Sequence, residues 1–231
     1  MRESGMTDPL PAQLSAFVQK QGIVVDPEFS LHPSGVHSVV NCVFSAQARF
    51  EVVVLPLLAR LNDRLPDVPE LTFQAFVDDV DTLGTQAYAE NVLRNRQRLA
   101  RRLKVEVARD VAAFFVRHDI QAVGDFRRLE DEAAEHLVLV ELVQDVKGIG
   151  PTLAHYLLWL MGREDHVKVD SLLTRLFARI GDWQPRMGND ADRIRITQAI
   201  REVAAQMGTT AARLDNALWQ FESRRKADSH A

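Results

Sequence analysis

The sequence predicts an all-α protein built as two helical lobes flanking a cleft. Most segments place apolar residues at i, i+3, i+4 and i+7, the signature of one buried helix face. Strand-type alternation is scarce, and no Asn-Gly or Asp-Gly pair marks a hairpin. Two long apolar segments also meet at Gly148-Ile149-Gly150, which reads as a tight turn between helices.

The first helix is carried by Val36, Val39, Val40, Val43 and Phe44. Residues 50–61 continue apolar, with Pro56 marking a kink or a break. Thr72 is placed to cap a helix bearing Phe76, Val77, Val80 and Leu83, and Gly84 to end it. Residues 87–104 read as a helix, and Val107, Val111, Phe114 and Phe115 pattern the next. Segments 133–145, 151–161, 171–180, 192–207 and 211–221 complete the set. The short runs 23–25 and 137–140 are the best strand rivals. Residues 36–162, which include the glycine turn and the helix after it, are expected to form one helical lobe. Residues 1–35 plus 163–231 are expected to form the second lobe.

A chain of 231 residues with 46% hydrophobic and 26% charged residues can bury a sizeable core and stay soluble. No apolar run approaches the ~18 residues of a membrane span, so no membrane partner is expected. The first residues lack the apolar stretch of a signal peptide. One cysteine, Cys42, excludes an intrachain disulfide and a cysteine-ligated iron–sulfur cluster. The expectation is a cytoplasmic, monomeric protein. Its net charge of −4 means that nucleic-acid binding would need local cations or backbone amides.

The most informative stretch is Leu142-Val-Gln-Asp-Val-Lys147-Gly-Ile-Gly-Pro-Thr152-Leu-Ala154. Two glycines one residue apart allow positive φ, and Ile149 between them is expected to plug into the core. Pro151 suits the first position of the next helix. The amides after Gly150 would then point outward at a helix N-terminus, a natural phosphate site. Alone, the turn equally suits a plain helix–helix connection. Downstream comes Val169-Asp170-Ser-Leu-Leu-Thr-Arg175. Asp170 precedes the periodic residues Leu172, Leu173, Leu176, Phe177 and Ile180, which makes it an N-cap candidate on structural grounds.

Taken together these residues resemble the helix-hairpin-helix and Gly/Pro-Asp (HhH-GPD) signature of the endonuclease III superfamily of DNA glycosylases. The spacing of 18 residues from Thr152 to Asp170 agrees with it. Phe44-Ser45-Ala46-Gln47-Ala48 is similar to the segment that starts the family's helical barrel, and 214–219 more weakly resembles its last helix. The resemblance spans roughly residues 36–223. It implies a repair enzyme acting on double-stranded DNA with a lesion or mismatch, nucleoid-associated, that cuts a flipped base from its sugar. By motif match Asp170 is the catalytic carboxylate, stabilising sugar cation character and orienting or deprotonating a water. Gln47 is the wedge that fills the vacated stack. Lys147, Gly148, Ile149, Gly150, Thr152 and Arg175 belong to the DNA-binding set. The family's hairpin carbonyls can hold a monovalent cation, here at the backbone of Val146.

Three departures refine this expectation. Bifunctional members carry a Schiff-base lysine where this chain has Thr152, so a monofunctional hydrolytic mechanism is implied, unless Lys147 or Lys168 substitutes. The four-cysteine cluster loop is missing. Arg49-Phe50 stands where endonuclease III enzymes have a polar-acidic segment, which leaves the base unnamed. The basic run Arg94, Arg96, Arg98, Arg101, Arg102 and Lys104 reads first as a solvated helix face and second as a phosphate track. Two rivals stand beside the enzyme. One is a nucleotide-binding α/β unit with 137–140 as its strand, although Leu153 occupies the third glycine position. The other is a helix-hairpin-helix protein that binds DNA without catalysis.

Overall fold

The computed structural model describes residues 8–29, 32–66 and 68–228, with side chains to 225. Residues 1–7, most of the stretch read against a signal peptide, lie outside the described residues. Thirteen helices are described: α1 (Leu10–Gln21), α2 (Gly35–Phe44), α3 (Leu55–Arg64), α4 (Phe73–Leu83), α5 (Thr85–Ala87), α6 (Lys104–Arg117), α7 (Val123–Arg127), α8 (Asp131–His136), α9 (Val143–Asp145), α10 (Pro151–Leu160), α11 (Ser171–Ile180), α12 (Asp190–Gln206) and α13 (Ala211–Asp228). Wider π-type turns join α5 to Leu93 and α8 to α9 and precede α3. The two strands described are two residues each, β1 (Arg98–Leu99) and β2 (Arg102–Leu103). The fold is therefore all-α, as the periodicity predicts. Among the described residues no helix is long and apolar enough to cross a membrane. The chain divides into two compact units, Ser30–Arg163 and the combination of Met1–Phe29 with Glu164–Ala231.

Local chemistry explains most helix bounds in the Ser30–Arg163 unit. Ser34 caps α2 by accepting the Val36 amide, and Thr72 caps α4 by accepting that of Ala75. Gly84 ends α4 with φ +79°. Pro56 sits in the first turn of α3 and has no N–H to offer the carbonyl four residues back. The chain there winds wide instead, and the Leu55 amide reaches the Phe50 carbonyl. The core is aromatic. Phe73 stacks on Phe115 at 4.9 Å, and Phe126 meets Phe115 edge-on at 5.7 Å. Residues 137–142 are helical, which removes the strand on which the nucleotide-binding rival depends.

Two sequence expectations are corrected. The helix expected over 87–104 stops at Leu93, whose carbonyl is taken by the Arg60 guanidinium at 2.8 and 3.0 Å. Arg94 then turns the chain with φ +50°, and residues 98–103 fold back as an antiparallel hairpin, Arg98 opposite Leu103 and Leu99 opposite Arg102. Its tip, Ala100-Arg101, has φ +51° and +70°. These are values usually given to Asn or Gly, so no sequence signal marked the turn. The second correction is α1, which was not expected. Leu10, Leu14 and Val18 are buried, and Phe17 packs on the same core. This spacing is helical and was legible.

The other unit is built around that same α1. Leu10, Leu14 and Val18 pack with Val167 and Val169, with Leu173, Leu176 and Phe177 of α11, and with α12 and α13. One carboxylate is sunk into this apolar core. Asp215 of α13 is only 4% exposed, and its Oδ2 accepts the Lys168 amide at 2.9 Å. Burial pushes its carboxyl up to about 8. The charge of Asp170 adds to the rise, and the amide and ammonium of Lys168 oppose it.

Two predictions follow from this packing. An added Cβ at Gly35 would stand 2.5 Å from Cζ of the fully buried Phe73. Gly35→Ala is expected to destabilise by about 1–3 kcal/mol, read as a lower midpoint in denaturant unfolding. For Asp215, a raised acid pKa means the folded state keeps a proton that the unfolded state has released. Its contribution to stability is complete below 3.8 and is lost as pH rises toward about 8. Asp215→Asn, which still accepts the Lys168 amide, is expected to flatten that part of the stability–pH curve. Equal slopes in thermal melts of the two proteins would show that Asp215 is ionised throughout.

Candidate nucleic-acid interface and carboxylate

The Gly148-Ile149-Gly150 turn joins α9 to α10 by way of Val146 and Lys147. Ile149 is 4% exposed and anchors the turn, as its place between the glycines predicts. Its amide donates to the Val146 carbonyl at 3.1 Å. Only one of the two glycines needs its freedom. Gly148 has φ +114°, whereas Gly150 has an ordinary φ of −110° and is the N-cap of α10. A Cβ at Gly150 would meet nothing within 4 Å, so this chain itself does not demand glycine there. Among the described residues, the amides of Gly148, Gly150 and Thr152 donate to no acceptor. Pro151 occupies the first turn of α10, Thr152 follows half-buried, and Lys147 is exposed.

Gln47 lies in the turn that follows α2, exposed, with φ +54°. A side chain far away in sequence holds this turn. Lys104, the first residue of α6, is 3% exposed. Its Nζ donates to the carbonyls of Phe44 (3.1 Å) and Ala46 (2.6 Å) and to Oε1 of Gln97 (2.8 Å). A cation at the C-terminal end of α2 also meets the negative end of the helix dipole. Lys104 is thus not one of the solvated cations that the basic run suggested. The Cys42 thiol donates to the Leu153 carbonyl at 3.2 Å and ties α2 to α10. The β1–β2 hairpin packs here too, because a Cβ added at Gly148 would stand in ordinary contact, 3.4 Å, with Cγ of Leu99. The structure therefore links Gln47, the β1–β2 hairpin and the glycine turn within one unit. Sequence reasoning missed the hairpin, and no turn residue in it could have signalled it.

Asp170 and Arg175 belong to the other unit. Asp170 is the N-cap of α11. Its Oδ1 accepts the amides of Leu172 (2.8 Å) and Leu173 (3.2 Å), so the structural role read from sequence is realised. Among the described residues Oδ2 accepts no hydrogen bond, and Asp170 is half-buried rather than sealed. The segment leading to it is fixed by Asp215 through the Lys168 amide and by Val167 and Val169, both buried. Lys168 is half-buried, and Arg175 is exposed on α11. Among the described residues no group of three or more His, Cys, Asp or Glu is arranged to hold a metal ion.

The fold has relatives of known structure. The 3-methyladenine DNA glycosylase of Schizosaccharomyces pombe, in complex with abasic DNA, matches with TM-score 0.56 at 16% identity, over 91% of this chain and 95% of that one. The 8-oxoguanine glycosylase/lyase of Methanocaldococcus jannaschii, in complex with DNA containing 8-oxoguanine, matches with TM-score 0.51 at 17% identity, over 95% and 92%. At these identities the likeness is one of fold. No curated protein matches the chain. A family model described as a domain of unknown function (DUF8548) matches residues 15–223, and the chain belongs to that family.

Proposed function

We propose that this protein is a DNA glycosylase of base-excision repair, hydrolysing the bond between sugar and base of a damaged or mismatched nucleotide flipped out of double-stranded DNA. The observation that carries this reading is the division of labour at Asp170. One oxygen is held by two amides of α11, which fixes the carboxyl group, and the other accepts no hydrogen bond among the described residues. Such a carboxylate can face a developing sugar cation and take a proton from water. In the step, a water oxygen bonds to the anomeric carbon and the carbon–nitrogen bond breaks. The base leaves with the bonding pair, and the water proton passes to the carboxylate. The fold shared with two DNA glycosylases along nearly the whole chain supports the same reading.

The glycine turn is suited to gripping the strand. Its amides at Gly148, Gly150 and Thr152 are available, and the bare Gly150 lets a phosphate approach closely. The Val146 carbonyl accepts the Ile149 amide with one lone pair, and the second suits a monovalent cation. Exposed Gln47 serves as the wedge, and Lys147 and Arg175 serve as phosphate contacts. Thr152 offers a hydroxyl where a lyase needs an amine, so the reaction stops at an abasic site. The two glycosylases of like fold are named for different bases, so the base is found by experiment.

A panel of duplexes, each with one lesion or mismatch, is expected to yield free base from at least one member, with no strand break until alkali is added. Asp170→Asn keeps a capping side chain. It is expected to slow base release by about 10²–10⁴-fold while DNA affinity in a binding titration stays within a few-fold. No base release from any duplex, with binding intact, would instead identify a non-catalytic DNA-binding protein. Borohydride added to protein and abasic DNA is expected to trap no covalent adduct. An adduct lost in Lys147→Ala or Lys168→Ala would locate a Schiff-base amine and overturn the monofunctional mechanism.

A further inference from the structure

Residues 94–104 carry six cations and no acid, in a chain whose net charge is −4. Three of the six are occupied internally. Lys104 is buried on backbone carbonyls. Arg96 pairs with Glu90 at 2.9 Å, and Arg102 pairs with Asp110 at 2.6 Å and Glu106 at 3.8 Å. Arg94, Arg98 and Arg101 are exposed, and among the described residues no carboxylate stands within ion-pair distance of them. The Arg98 guanidinium donates to the Arg101 carbonyl at 2.8 Å, which braces the hairpin tip. Three non-glycine residues here, Arg94, Ala100 and Arg101, hold positive φ, a conformation that such residues rarely adopt unaided. The surroundings that impose it are Lys104 at the base, Arg60 on the Leu93 carbonyl and Leu99 against Gly148.

We propose that the β1–β2 hairpin is a second phosphate-binding element, in which Arg94, Arg98 and Arg101 extend the grip of the glycine turn along the DNA backbone. Solvated surface cations need no such fixed scaffold. This one packs its apolar residue, Leu99, against the glycine turn and leaves Arg94, Arg98 and Arg101 exposed, as is Lys147 of the turn. Exposed guanidinium groups on a scaffold packed against an amide-lined turn suit a repeating row of phosphates. The proposal rests on the DNA-binding reading above and adds to it a surface that the carboxylate chemistry does not require.

The test is the salt dependence of binding to a short undamaged duplex. The double variant Arg98→Gln with Arg101→Asn removes two charges and keeps a residue at 101 that tolerates positive φ. Each lost phosphate contact lowers the slope of log affinity against log salt by about 0.9. The double variant is therefore expected to lose close to two from the parent slope. Arg128→Gln, an exposed cation on the other side of α6 in sequence and paired with Asp125, is expected to leave the slope unchanged. A parent that binds DNA, with an equal slope for the double variant, overturns the hairpin proposal and leaves the glycosylase reading standing. A parent with no salt-sensitive DNA binding overturns both.

Discussion

Asp170 accepts two amide hydrogens at the start of α11 with a single oxygen. A helix N-terminus always leaves amides without partners, and one carboxylate oxygen is enough to answer them. The same bonds that begin the helix therefore fix the orientation of the carboxyl group. The structural cap of α11 and the carboxylate proposed for catalysis are one residue, and the cap leaves one of its oxygens without a hydrogen bond among the described residues.

Backbone ends organise the other functional segments too. At α10 the cap is Gly150, which has no side chain to occupy the amides around it, so they stay available to a ligand. At the far end of α2 the carbonyls meet an ammonium instead, supplied by Lys104. Burying a lysine is costly unless every donor finds an acceptor, and Lys104 finds three. That requirement couples the Gln47 turn to the β1–β2 hairpin. A change at position 104 would disturb both together, and would say less about either one than a surface substitution does.

Asp215 shows the opposite bargain. It lies within the apolar core and holds one amide of the segment leading to Asp170. Burial favours its neutral form, and so does the nearby negative charge of Asp170. Two carboxyl groups of one unit thus have different surroundings: Asp215 lies deep and favours its proton, and half-buried Asp170 caps a helix.

Helical periodicity and caps were legible because they are local. α2, α4, α10 and α11 follow from apolar spacing, Thr72, Pro151 and the N-cap at Asp170, each acting within a few residues. α1 carries the same kind of signal. The Gly-Ile-Gly turn and its buried isoleucine were legible for the same reason. The β1–β2 hairpin was not, because its tip uses alanine and arginine at positive φ, a conformation imposed by partners such as Arg60 and Lys104 rather than chosen by the residues themselves. Nor were the depth of Asp215 and the burial of Lys104, whose partners lie 47 and about 60 residues away. Local sequence determined where most of the helices start and stop and which carboxylate caps α11; only the folded chain decided where the 87–104 segment leaves its helix and which charges are buried and which stay free, because burial and pairing depend on neighbours that sequence spacing does not reveal.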